Sequence, residues 1–245
     1  MICGWSAIYL RELFIVRRRL LKLILSWSVQ PTLYMVAFGY ALGRHVQVEG
    51  HTYMEFLLPG LVAMSSMNQA YRIAREINFA RFYWHIFEEF QVAPISNTAF
   101  VLGEVLAGMT RALMAVGVIL ILGAGFGVVL SHNLYFWLAL ILNSFVFASL
   151  AVIVAMVVRA HDDQGMLNNF IITPMAFLGG TFFPLEQLPI LAQKILYFLP
   201  LTHASKAIRA AAFGQPPDPR SFLILAGVGI FFFVAAVHCV NLARD

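Results

Sequence analysis

Residues Arg72–Thr98 read RIAREINFARFYWHIFEEFQVAPISNT, the longest charged segment lying between apolar runs of membrane-spanning length. On a helix, Arg75, Asn78, Arg81, His85, Glu88 and Glu89 share one side, and Ile73, Ile77, Ala80, Trp84 and Phe87 gather on the other. One face calls for water and the other for lipid or protein, so the spacing predicts a helix along the membrane surface that a soluble partner can press on. Pro94 removes a backbone donor and fixes φ, which ends the helix and turns the chain into the next apolar run.

Composition agrees with that placement. The 245-residue chain is 61% hydrophobic and 11% charged, with a mean hydropathy of +0.82, which excludes an ordinary soluble domain and points to a polytopic membrane protein. The net charge of +4 does not imply nucleic acid, because the basic residues cluster at the ends of apolar runs and form no basic face with interleaved aromatics. Cys3 and Cys239 lie at opposite chain ends, which argues against a disulfide or a metal site. Arg11 and Arg17–Arg19 precede the first apolar run and no small-residue cleavage site follows it, so that run is expected to stay in the mature protein.

Working outward, six apolar runs give an expected all-α fold of six transmembrane helices, at about 21–43, 53–71, 99–126, 134–158, 165–183 and 221–241. Residues 1–20 mix Trp5, Ile8, Tyr9, Leu13 and Val16 with Arg11, Glu12 and Arg17–Arg19, the pattern of an N-terminal interfacial amphipathic helix. Pro31 predicts a kink in the first span, and Gly39 and Gly43, four apart, allow close packing there. The second span carries Ser65, Ser66, Asn68 and Gln69, too polar for a helix facing only lipid. In the third, Glu104 stands near the start and Arg111 deep inside. Arg111 must face another helix or a wet cavity, as a pathway residue or as a structural polar clamp. Leu188–Phe198 and His203–Phe213 are too short to cross and read as re-entrant helices before the last span. With both termini cytoplasmic, ten Lys/Arg fall inside and five outside, with Arg111 in the bilayer, so the charge rule favours that orientation.

Catalytic signatures are missing from the sequence. GxxxxGK[ST], HExxH and GxSxG do not occur, so the chain has no P-loop for ATP and no simple hydrolase site. The compact loop Arg159-Ala-His161-Asp162-Asp163 could hold a metal in a lipid-modifying enzyme, but no second acidic cluster follows and a solvated loop is the expected reading. A channel or secondary transporter using Glu104 and Arg111 is the other alternative, less attractive without inverted repeats.

Three stretches carry a resemblance: Phe87–Ser96 (FEEFQVAPIS), Thr173–Pro189 (TPMAFLGGTFFPLEQLP) and Pro200–Arg209 (PLTHASKAIR). Together they make the chain similar, over nearly its whole length, to the ABC-2 type permeases, membrane subunits of ATP-binding-cassette exporters of polysaccharides, nodulation factors and drugs. In the first stretch His85-Ile86-Phe87 replaces the Gly-Thr that many relatives have before the glutamate. The resemblance implies a coupling helix after the second span, a homodimer or pseudo-dimer embedded in membrane lipids, and a bacterial inner-membrane location. It also implies an ATP-binding-cassette ATPase partner that carries the ATP and Mg, with no cofactor on this chain. Carried over by position, Arg81, His85, Glu88, Glu89 and Pro94 belong to the coupling region and Arg159, His161, Asp162 and Asp163 to a second cytoplasmic contact. Tyr34, Phe38, Ser65, Asn68, Asn169 and Thr173 become candidates for the substrate pathway, with Glu104 and Arg111 as intramembrane polar residues.

Overall fold

The computed structural model describes residues 4–40, 47, 48, 50–84, 86–158 and 161–243, and it is helical almost throughout. The chain runs through α1 (Gly4–Arg18) and α2 (Leu20–Tyr34), which continues as a π-helical turn over Met35–Tyr40. The widened turn comes just after Pro31, whose missing N–H breaks the regular ladder, so the kink expected in this segment takes the form of a π-helix. Gly39 then lies against Met54, where an added Cβ would meet the methionine side chain at 2.1 Å.

After a two-residue β-hairpin pairing Val48 with His51, α3 (Tyr53–Tyr71) starts at a capping box. Thr52 accepts from the Glu55 N–H, and Glu55 accepts from the Thr52 N–H at 2.8 Å. Then follow α4 (Ile73–Phe82), α5 (Ile86–Val92), α6 (Asn97–Gly125) and α7 (Leu134–Val157). Ser96 caps α6 and Asn133 caps α7. The next run is broken: α8 (His161–Leu167), a π-turn over Asn168–Ile172, and α9 (Thr173–Leu178), ending at Gly179 and Gly180, the latter with φ +84°. Two shorter helices, α10 (Ile190–Tyr197) and α11 (Pro200–Ala212), precede α12 (Pro219–Leu242).

Among the described residues four helical segments are long and apolar enough to cross a membrane: Leu20–Gly39, Asn97–Gly125, Leu134–Val157 and Pro219–Leu242. The chain is therefore an all-α membrane protein. α3 stands apart from this set because of Glu55, Ser65, Ser66, Asn68 and Gln69, yet it is buried along most of its length. It packs on α6, α7 and α11, so Ser65 and Ser66 meet protein instead of lipid. Asn143 of α7 donates to Ser66 Oγ at 2.6 Å and to the Ala63 carbonyl at 3.1 Å. Gly60 passes so close to the Thr181 backbone that a Cβ would sit 2.4 Å from its carbonyl oxygen.

α11 is short, as expected, but it is wedged among α3, α7 and α12 with Leu201, Ala204, Ala207, Ile208 and Ala211 buried. Arg209 is partly buried and turned onto α3. Its guanidinium lies 3.8 Å from the Phe56 ring centroid and donates to the Gly180 carbonyl at 2.6 Å.

The segment Arg72–Thr98 differs from the single amphipathic helix expected of it in two respects. It is two helices, α4 and α5, parted by a turn at Tyr83 and Trp84. Two of its residues also exchange faces: Asn78 is buried, because its amide caps the carbonyl of Val158 at 2.8 Å, and Trp84 is 57% exposed, because the helix ends before it.

Candidate functional site

Of the coupling candidates, Arg81, Glu89, Pro94 and Asp163 are the ones whose side chains the structure describes. Arg81 donates to the Met156 carbonyl at 2.8 Å, and its guanidinium stands over the rings of Phe82 and Phe87. With the Asn78–Val158 bond, this fastens α4 to the end of α7, immediately before the second coupling stretch. α5 is held by Phe87 and Phe90, whose rings pack on Phe100 at 5.4 and 5.7 Å. Those contacts leave Tyr83, Trp84, Glu89, Val92 and Pro94 exposed. Asp163 is exposed on α8, a helix that touches α4. His85 and Arg159, and the side chains of Glu88, His161 and Asp162, lie outside what the structure describes. Among the described residues no group of three or more His, Cys, Asp or Glu is arranged to hold a metal.

Arg111 meets two partners from elements far off in sequence. One guanidinium nitrogen donates to Glu12 of α1 at 2.8 Å, and the other donates to Glu76 of α4. Glu104, on the same helix as Arg111, is buried beside this cluster and lines the same cavity of about 520 Å³. The other oxygen of Glu12 accepts from Arg11 at 2.7 Å. Burial pushes the Glu12 carboxyl above its usual value, while Arg111 and Arg11 pull it down and Glu76 adds to the rise. Around this cluster α1 docks onto α6 by close fit. Ile8 fills the space over Gly103, where a Cβ would come within 2.8 Å, and Tyr9 hydroxyl meets Thr110 Oγ1 at 3.0 Å. Of the two roles open to Arg111, the geometry is that of a clamp tying α1, α4 and α6 together. Glu12 and Glu76 went unrecognised as its partners. The available signal was Glu12 standing between Ile8 and Val16 at helical spacing, a carboxylate inside the buried stripe of α1.

The pathway candidates divide into two groups. Asn68, Asn169 and Thr173 come together on one cleft of about 710 Å³, between the end of α3 and the α8–α9 run. Gln30 of α2, Gln69 and Gln164 share it, as do Arg72 and Arg75 at the start of α4. Tyr34 and Phe38 instead join Phe177 and Phe182 in an aromatic cluster with centroids 5.1–6.4 Å apart. The two groups touch, because Phe177 also lines the cleft. Ser65 is turned away from it, 7% exposed within the bundle.

The chain as a whole is similar to known proteins. Residues 5–213 match the family model described as ABC-2 type transporter. Nodulation protein J of Rhizobium leguminosarum bv. viciae is 32% identical over 223 residues, which cover 87% of this chain and 83% of that protein. Nodulation protein J of Sinorhizobium fredii is 32% identical over 216 residues, covering 87% and 82%. The inner membrane transport permease YadH of Escherichia coli K12 is 27% identical over 234 residues, covering 94% and 90%. By a match that takes in most of its length, the chain belongs to the ABC-2 type transporter family, the membrane components of ABC transporters.

Proposed function

We propose that this chain is the permease subunit of an ABC exporter in the inner membrane of a bacterium, working as a homodimer over two ATP-binding-cassette subunits. In this reading the chain crosses the membrane six times, with both termini cytoplasmic, and ATP and Mg bind only to the partner. α3 and the α8–α9 run are the two crossings that their polar residues set apart from the four apolar ones. The substrate is amphipathic: a lipid, a lipid-linked glycan or a hydrophobic drug.

The observation that carries the reading is the fastening of α4 to the end of α7 through Asn78 and Arg81. The exposed coupling surface is thereby joined to the segment leading into α8, and α8 forms one wall of the cleft. A push on α4 and α5 from a nucleotide-bound partner therefore moves a wall of the route. Reversing a two-state population from 1:99 to 99:1 takes about 5.5 kcal/mol of differential binding, which the partner must supply on this surface.

Mild-detergent purification of the tagged chain from its own membranes tests this. A stoichiometric ATPase should accompany it, and replacing Glu88 and Glu89 together by alanine should lower transport or complex yield without loss of folded protein. A chain that arrives alone, even after crosslinking through residues 72–98, would overturn the proposal.

A further inference from the structure

The cavity of about 520 Å³ beside Arg111 is walled by α1, α2, α4 and α6, and its charges are not balanced. Glu12 is bound by Arg111 and Arg11, and Glu76 by Arg111. Glu104 is the third carboxylate of this group. It is 5% exposed, it lines the cavity, and among the described residues it takes part in no hydrogen bond or ion pair. Three carboxylates against the two guanidiniums of Arg11 and Arg111 leave one negative charge in excess. A buried carboxylate without a donor is costly, and a cation that carries N–H groups removes the cost.

The same cavity is also lined by Arg19, Arg72 and Arg75, all of them exposed. Among the described residues the side chains of Arg19 and Arg72 form no hydrogen bond or ion pair, and Arg75 has only the Phe79 ring, 5.7 Å from its guanidinium carbon. Such a set of guanidiniums favours a phosphate. Burial separates the two signs: a ligand that reaches Glu104 with a cationic end leaves its anionic end to the exposed arginines. Leu23 and Trp27 bring the first turns of α2 into the lining. Because α2 opens one of the segments able to cross a membrane, the cavity lies at the level of lipid headgroups. On the same stretch of α2, Leu21 and Leu25 are 72% and 59% exposed, an apolar surface for acyl chains.

We infer that this cavity holds the phosphoethanolamine headgroup of a resident membrane lipid, with the ammonium on Glu104 and the phosphate among Arg19, Arg72 and Arg75. The order of groups in such a lipid, acyl chains, then phosphate, then ammonium, follows the order from α2's apolar surface through the exposed arginines to the buried carboxylate. Other headgroups fit less well. Phosphatidylglycerol brings no cation to Glu104, phosphatidylserine brings a second carboxylate beside it, and the choline of phosphatidylcholine has no N–H to donate. The inference needs only the membrane setting and is separate from the choice of transported substrate.

The full-length chain, with any subunit that accompanies it, is reconstituted in vesicles of dioleoyl phosphatidylethanolamine, phosphatidylglycerol, phosphatidylserine and phosphatidylcholine in equal amounts. It is then extracted in mild detergent and the retained lipids are counted by mass spectrometry. Phosphatidylethanolamine should be enriched by about fivefold or more over each of the others. Glu104→Gln should cut its retention by about tenfold, the loss of one charge-assisted hydrogen-bonding group, without lowering that of phosphatidylglycerol. A folding defect would not produce that change of preference. Arg19→Gln with Arg75→Gln, at two exposed positions, should lower the retention of phosphatidylethanolamine by about fivefold. The inference is overturned if any other lipid equals or outranks phosphatidylethanolamine, if Glu104→Gln keeps the parent's preference, or if the double arginine variant retains as much lipid as the parent. None of these results touches the permease reading, which stands or falls on the co-purifying ATPase.

Discussion

Replacing Arg111 by methionine tests whether the α1–α4–α6 cluster is structural. The Arg111 side chain is 7% exposed, Glu12 8% and Glu76 43%. Breaking a buried ion pair by removing one partner costs about 3–5 kcal/mol, because the other charge stays buried. Most of that cost belongs to Glu12, which keeps only the partly exposed Arg11 at 2.7 Å, since the half-exposed Glu76 is screened by solvent. At about 2–4 °C per kcal/mol for a chain of this size, the thermal midpoint should fall by roughly 6–20 °C. Removing the half-paired carboxylate as well, in Arg111→Met with Glu12→Gln, should recover part of the loss. Burial already raises the Glu12 carboxyl above its usual value of 4.5, and without Arg111 it rises further. The docked state then holds a proton that the undocked state releases, so the stabilisation is fully present below 4.5 and is lost as pH climbs through the raised value. The single variant should therefore melt higher at pH 5.5 than at pH 8, by a larger margin than the parent. Tryptophan-fluorescence melting in detergent reads both quantities. A variant within about 2 °C of the parent, or one more stable at pH 8 than at pH 5.5, would refute the clamp.

Three further perturbations follow from single contacts. Gly60→Ala puts a Cβ 2.4 Å from the Thr181 carbonyl oxygen and 2.8 Å from its Cα, where only backbone movement makes room. It should cost about 1–3 kcal/mol in melting experiments, whereas Gly117→Ala, with open space around the new methyl, should match or exceed the parent. Asn143→Leu removes the bonds to Ser66 and Ala63 and should lower stability by about 0.6–1.7 kcal/mol, the range found for hydrogen bonds between helices in membranes. Burial pushes the Glu186 carboxyl up, but its own backbone N–H and Lys206, 3.0 Å away, outweigh burial and hold it below its usual value. Its contribution is present above 4.5 and is lost as pH falls through the lowered value, so Glu186→Gln should flatten the acid limb of a stability–pH curve.

Where one period or one composition rule decided, the sequence was readable. Tyr53–Tyr71 begins and ends as a helix where the apolar run does, and of the polar residues that barred it from lipid Ser65 and Ser66 face protein while Asn68 and Gln69 face the cleft. The segment Arg72–Thr98 shows where such reading stops. Helical spacing put Asn78 with the arginines and Trp84 with the isoleucines, since a single helix knows only its own period. The Val158 carbonyl, left without an intrahelical partner at the end of α7, drew Asn78 inward, and the break at Tyr83 freed Trp84. Neither event can be seen without a second element in place.

The same limit hid the cleft. Asn68 and Asn169 were recognisable as polar residues in apolar runs, but Gln164 directly follows Asp163 and read as part of a charged loop, and Gln30 is a single amide beside Pro31 in the first run. Their meaning depends on α2, α3 and α8 meeting at one place. The cluster around Arg111 and the amide cleft share a wall, because Gln69, Arg72 and Arg75 line both cavities. Any shift of α4 that changes the reach of Glu76 toward Arg111 therefore also moves the two arginines that line the cleft. A coupling surface on α4 and α5 can in this way act on α1 and on the candidate binding site at once. The first residues to feel it would be Glu76, Arg72 and Arg75, all within four positions on one helical turn and its entry.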